Sequence, residues 1–150
     1  KAPESWFYPG ALLKDKTKMF IGKSNCDVGV FVNRGFVKAS NVIVVVDSEK
    51  DLFLLEYAST LLKTTHGSVS ILDRSSSTTP GSEKIKHAIR QFVDTTKQAS
   101  LLADKDMTAA IFSNYNFMLI SYDTWNDVSE HRREALQKMP STLIMNHKEK

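Results

Sequence analysis

The chain has 150 residues, of which 41% are hydrophobic and 25% charged, enough apolar material for one core of ordinary domain size. Its formal net charge is +3 with both signs interspersed, so no nucleic-acid partner is expected. The single cysteine, Cys26, excludes an internal disulfide and fits a reducing compartment, and the apolar runs are of strand length, too short to span a bilayer. The chain begins at Lys1 without a methionine or signal peptide, so a fragment of a longer polypeptide is expected.

Residues 1–24 open with KAPESWFYPG, a Pro- and aromatic-rich arm, followed by ALLKDKTKMF, which has a short-helix pattern. Asp27 to Asn33 (DVGVFVN) is a predicted strand, closed by turns at Arg34-Gly35 and Lys38 to Ser40. Val42 to Val46 is an unbroken β-branched run, the composition of a central parallel strand covered on both faces. Ser48 and Asp51 have capping-box spacing at the start of the next helix. Leu54, Ala58, Leu61 and Leu62 then recur at helical spacing, Gly67 stops the helix, and Val69 to Leu72 is the next strand.

The loop 74–81 (RSSSTTPG) leads to Ser82, a predicted cap for a helix with the apolar face Ile85, Ala88, Ile89, Phe92 and Val93. Its other face carries Lys84, His87, Arg90, Asp94 and Lys97. A short strand over 99–103, a helix over 105–115 and a strand from Phe117 to Ser121 follow. Thr124 and Asp127 repeat the capping-box spacing, and the helix to Lys138 offers Glu130 with Arg133 and Glu134 with Lys138 as supporting pairs. Pro140 ends that helix before a last strand from Thr142 to Met145.

The order, one strand and then βαβαβαβαβ, predicts an α/β fold: a doubly wound open parallel sheet with helices on both faces. The orphan strand 27–33 has no helix to cross it over, so it is expected antiparallel beside strand 142–146 at the sheet edge. The division is an N-terminal arm with the orphan strand over 1–40 and an α/β domain over 41–150.

In such a sheet ligands gather beyond the carboxyl ends of the strands. Asp47 ends the first βαβ strand and Ser48 follows it. The turn Ser121, Tyr122, Asp123, Thr124 and Trp125 would face them across the switch point. Asp47, Ser48, Ser121 and Asp123 are therefore the candidate rim of a small polar pocket. The simpler reading makes Asp47 a partner of the helix dipole, Thr124 a cap and Trp125 a side chain packed on the sheet edge. No glycine follows strand 117–121 and no phosphate-loop pattern occurs, so phosphate cradling there would need other donors.

The histidines His66, His87, His131 and His147 lack metal-ligand spacing, so no metal site is expected. No G-x-S-x-G elbow marks a nucleophile. Cys26 reads as a buried, inert thiol, against a reactive one near Lys23. The helix 84–97 is basic enough to meet an acidic partner or membrane surface, but Glu83 and Asp94 break the run and a solvated face is the more common explanation. The serine-rich loop 75–82 is either a phosphate acceptor or a plain flexible loop.

The stretch CDVGVFVNRGF (26–36) resembles the C-S-V-G-I-L-V-D-R-G segment in the cytosolic tails of monovalent cation:proton antiporters of the second family. Residues 42–73 are similar to the strand, acidic turn, helix and strand that follow in those tails. Residues 117–146 look most like the fungal potassium/proton antiporters, which are related to the plant cation/proton exchangers. The resemblance implies a universal-stress-protein-like domain with strand order 3-2-1-4-5. It further implies that strand 27–33 is the last strand of a preceding half, paired across a pseudo-twofold with the end strand of this one.

Implied with it is a non-catalytic cytosolic regulatory domain of a potassium (or sodium)/proton antiporter. Its partner would be the transmembrane part of the same polypeptide, with a homodimer as a further option because such sheets expose an edge. The domain would not insert into the membrane itself. It would lie on the cytosolic face of an organelle such as the Golgi or an endosome. The alternative is a stand-alone universal stress protein holding an adenine nucleotide at Asp47. This chain has Asp47-Ser48-Glu49-Lys50-Asp51 where the plant tails carry Gly-Gly-Pro-Asp-Asp, and Ser121-Tyr122-Asp123-Thr124 where nucleotide-binding relatives carry glycines. No cofactor is therefore expected, and the alternative is confined to an adenine nucleotide without a long phosphate chain. A hydrolase using Asp123 or His131 is a third reading.

Overall fold

The structure, a computed structural model, describes residues 27–103, 105, 107–131 and 133–147. The expected arm over 1–24 and Cys26 lie outside the described residues. Six strands form one sheet: β1 (Val28–Val32), β2 (Asn41–Val46), β3 (Ser68–Asp73), β4 (Ala99–Leu101), β5 (Phe117–Ser121) and β6 (Ser141–Asn146). Their order across the sheet is β1-β6-β5-β2-β3-β4. Strands β2 to β6 pair in parallel, and β1 runs antiparallel to β6, with Val28 opposite Asn146 and Val32 opposite Thr142. The orphan strand therefore sits at the edge where the sequence expects it.

Alternation along β2 explains why its sequence is apolar without interruption. Ile43 and Val45 enter one core with Met118, Ile120 and Trp125. Val42, Val44 and Val46 enter the other with Leu54, Ala58 and Ile89. Successive side chains of a strand point to opposite faces, so a strand covered on both sides needs apolar residues at every position. Helices α1 (Phe53–Thr65) and α2 (Ser82–Thr95) cover the second face. Helices α3 (Ala109–Phe112), α4 (Tyr122–His131) and α5 (Arg133–Leu136) cover the first. The chain steps outward from β2 to β3 and β4, then returns past β2 to β5 and β6. Crossovers of one hand force the helices to change face when the direction reverses. The reversal puts the topological switch point between β2 and β5.

Several local expectations need correction. The expected capping box of Ser48 and Asp51 forms, but it opens a turn of 3-10 helix over Glu49–Leu52 that leads into α1. The left-handed residue that stops it is His66 (φ 55°), whose N–H donates to the Leu62 carbonyl at 3.1 Å, and not Gly67. Gly67 is required for another reason: a Cβ there would lie 2.3 Å from the Ser40 carbonyl oxygen. That oxygen is held close because it accepts the Ser68 N–H at 2.8 Å. Helix α2 is entered through Gly81 (φ 75°), so Ser82 is its first residue and not its cap.

The helix expected over 105–115 contracts to α3, where Thr108 Oγ1 accepts the Ile111 N–H at 3.3 Å. Helix α4 starts directly after β5, and Ser121 Oγ accepts the Thr124 N–H at 3.2 Å, so Ser121 takes the capping role expected of Thr124. Trp125 is 1% exposed within a core, not on the sheet edge. In place of the expected glutamate pairs, His131 Nδ1 lies 3.4 Å from the Asp127 carboxylate and Arg133 Nε donates to the Ser129 carbonyl.

A backbone oxygen cannot move aside as a flexible side chain can. Gly67→Ala is therefore expected to cost about 1–3 kcal/mol of stability, by analogy with other overpacked sites. Urea denaturation measures it, and an unchanged midpoint would show that the chain does not approach Ser40 so closely.

Candidate functional site

The switch point is built from the ends of β2 and β5. Their register runs from Val42–Phe117 to Val44–Leu119 and stops there, although both strands continue. The strands thus part toward their carboxyl ends, which is where α/β sheets open a crevice. Here a carboxylate of the protein spans the crevice. Asp51, in the 3-10 turn after β2, is 1% exposed. Its Oδ2 accepts the Asp47 N–H at 2.8 Å, the Ser48 N–H at 3.2 Å and the Thr124 hydroxyl at 2.9 Å. Asp51 is therefore both the acidic half of the expected capping pair and a clasp across the sheet. A buried carboxylate requires such donors, because charge removed from water is costly unless it is hydrogen-bonded.

Asp47 lies behind this clasp. Its carboxylate is 3.7 Å from Arg74 Nη1, close enough for attraction and too far for a hydrogen bond. That nitrogen is buried and has no hydrogen-bond partner. Burial pushes the Asp47 carboxyl above its ordinary value; Arg74 opposes the shift, while Asp51, Asp127 and Asp73 add to it. Next to it, Asp73 accepts both the N–H and the hydroxyl of Ser75. The centre of the carboxyl edge is thus acidic.

Of the four expected rim residues, the structure brings Ser121 and Asp123 together at one cavity of about 250 Å³. Lys50, Asp51, Phe53, Asn146 and His147 join them. Asp47 and Ser48 are not in its lining; the Asp47 carboxylate lies near Arg74, and the Ser48 N–H donates to Asp51. Asp123 is exposed, and Ser121 is buried and engaged as a cap. His147 stacks on Phe53 with ring centroids 4.8 Å apart. Its Nδ1 is 3.0 Å from Asp27 Oδ2, which also accepts the Tyr57 hydroxyl at 2.7 Å. The bond to Asp27 is the largest cause that pushes the Tyr57 phenol up to about 12.

Asp51 was visible in the sequence as a cap but not as a buried clasp, and His147 carried no signal at all. His131 lines a different cavity, with Met107 and Thr108, so it does not meet Asp123. No group of three or more metal-ligating side chains occurs among the described residues. No helix among them is long and apolar enough to cross a membrane.

Chemically, the centre of the switch point is poorly suited to phosphate. The N–H groups of Asp47 and Ser48, natural anion donors at a helix start, are already taken by Asp51. Asp47 and Asp51 would repel an anion placed there.

Removing the clasp tests its role. Asp51→Ala leaves three donors without their acceptor and is expected to cost about 3 kcal/mol or more in urea denaturation. Thr124→Val removes one of them and is expected to cost about 1.5–3 kcal/mol. Negligible effects from both would show that the carboxylate is not structural.

Asp47 has the opposite sign. The folded protein holds its proton more tightly than the unfolded chain, so this carboxyl favours folding below its ordinary value of 3.8 and loses that contribution as pH rises through the raised folded value. Asp47→Asn is expected to be more stable than wild type at pH 7, with a margin that shrinks on acidification. Urea curves across that range read it, and a margin growing toward low pH would refute it. Comparison with known proteins adds no constraint: no family model, curated protein or solved structure matches this chain.

Proposed function

We propose that this chain is a cytosolic regulatory domain of a potassium or sodium/proton antiporter, without catalysis of its own. The observation that carries this reading is β1. The parallel unit β2 to β6 is complete without it, yet β1 adds antiparallel to β6 and extends the sheet by one strand. A strand donated in this way is how two α/β units join edge to edge, as the resemblance of residues 26–36 implies. Counted from β2, the parallel strands lie in the order 3-2-1-4-5, which supports kinship with universal stress proteins.

Two further observations favour sensing over turnover. At the crevice where an α/β enzyme would hold its substrate, Asp51 is tied to Thr124 and to two backbone N–H groups, so its carboxylate serves the fold. Asp123 and His131, the candidate hydrolytic groups, line separate cavities. A regulatory domain acts by stabilising one transport state over another, so its ligand or partner must bind the two states unequally.

The full-length parent protein provides the test. Upstream of Lys1 its sequence is expected to contain many apolar segments of about 20 residues. In vesicles, removal of residues 41–150 is expected to leave cation/proton exchange running but to shift its dependence on pH or cation concentration. A parent without such segments would sink the reading.

The alternative, a stand-alone adenine-nucleotide binder, predicts saturable calorimetric heat with AMP that Asp47→Ala abolishes. On the regulatory reading, ATP gives no saturable heat, because the helix-start donors are occupied by Asp51.

A further inference from the structure

A second kind of cavity lies away from the switch point, beyond the carboxyl ends of β3 and β4. It holds about 270 Å³ between α2 and the residues that follow β4. Its floor is aliphatic: Ile89 and Val93 from α2, and Leu101 from β4. Leu101 is 54% exposed, a large apolar side chain left facing solvent at the end of an edge strand. Its rim is cationic, with Lys86, Arg90 and Lys105.

Helical spacing explains the arrangement. Lys86, Ile89, Arg90 and Val93 recur at steps of three and four, so α2 presents aliphatic and cationic side chains on one stripe. The ion pairs among the described residues engage Arg74, Lys84, His131 and His147, and none engages Lys86, Arg90 or Lys105. Two carboxylates share the lining. They are Asp73, whose Oδ1 accepts from Ser75 and keeps its negative charge, and Asp94 on the rim. The cavity thus offers an apolar floor, three cations facing two carboxylates, and a position on the edge of the sheet where ligands gather.

We propose that this cavity binds a small amphiphilic anion: a carboxylate or phosphate monoester carried on a short aliphatic or aryl body. The body would lie on Ile89, Val93 and Leu101. The anionic head would meet Arg90, whose planar fork matches two oxygens, with Lys86 and Lys105 as point charges beside it. Each half of the ligand answers a different half of the cavity. A free inorganic anion leaves the aliphatic floor wet, and a neutral alcohol leaves the cations unpaired. The volume lies below the usual range of pockets for drug-sized ligands, which suits a small body.

The site stands on this cavity alone and does not depend on the antiporter reading. Amide nuclear magnetic resonance spectra of the full 150-residue chain test it, with hexanoate, phenyl phosphate, inorganic phosphate and hexanol as probes. Hexanoate, phenyl phosphate or both are expected to give saturable shifts confined to residues 86–94 and 99–105. They are expected to bind at least tenfold more tightly than hexanol or inorganic phosphate. Which of the two binds more tightly identifies the preferred head group. The double variant Lys86→Glu with Arg90→Glu is expected to lose at least tenfold in affinity. Leu101→Asp is expected to do the same by spoiling the floor. All three positions are exposed, so the remaining spectrum should stay native.

Shifts that fail to saturate, that arise elsewhere, or that persist unchanged in both variants would overturn the proposal. So would inorganic phosphate binding as well as phenyl phosphate, which would reduce the rim to an ordinary charged surface.

Discussion

A single buried carboxylate holds the middle of this sheet together. Strands β2 and β3 stay in register over their whole length, from Asn41–Ser68 to Val46–Asp73. Strands β2 and β5 do not; their pairing ends at Val44–Leu119. Beyond that point the two halves of the sheet diverge, and Asp51 spans the gap. It takes backbone N–H groups from the β2 side and the Thr124 hydroxyl from the β5 side. A charge with 1% exposure is tolerable only while those donors remain in place, so the position of α4 against the end of β2 is tied to the position of Asp51.

That arrangement changes what the fold can offer a ligand. The switch point of a doubly wound sheet is ordinarily its ligand crevice. Here the protein supplies its own anion at that place, and the open space lies to either side. One cavity forms beyond β5 and β6, where His147 stacks on Phe53 and shares Asp27 with Tyr57. Another forms beyond β3 and β4, under the cationic stripe of α2. The edge is electrostatically divided. Asp47, Asp51 and Asp73 make its centre acidic, while Lys86, Arg90 and Lys105 make its outer flank basic.

Arg74 marks the boundary between these regions. Its guanidinium is buried near Asp47 without closing a hydrogen bond to it, so it moderates the acidic centre and does not neutralise it. Asp47 consequently carries the cost of burial and of its acidic neighbours, and it is less settled than Asp51, whose Oδ2 accepts from three donors. Two aspartates four residues apart thus play opposite roles. One stabilises the turn that follows β2, and the other sits in that turn as a charge the fold tolerates.

What the sequence determined by itself was the architecture. Five β-branched residues from Val42 to Val46 demand cover on both faces, and the strand and helix periods that follow leave little choice but a doubly wound sheet. The place of β1 was legible too, because a strand with no crossover of its own can join most simply as an antiparallel edge. Local stops were less legible. His66 rather than Gly67 takes the left-handed turn, since the chain must also admit the Ser40 carbonyl against Gly67. Only the tertiary structure decided the sites. Whether Asp47 or Asp51 faces inward, whether Ser121 lines a pocket or caps a helix, and which cations lie over Leu101 all depend on contacts between residues far apart in the chain. Periodicity reports which face of an element is buried. It carries no information about which polar group meets which across the sheet.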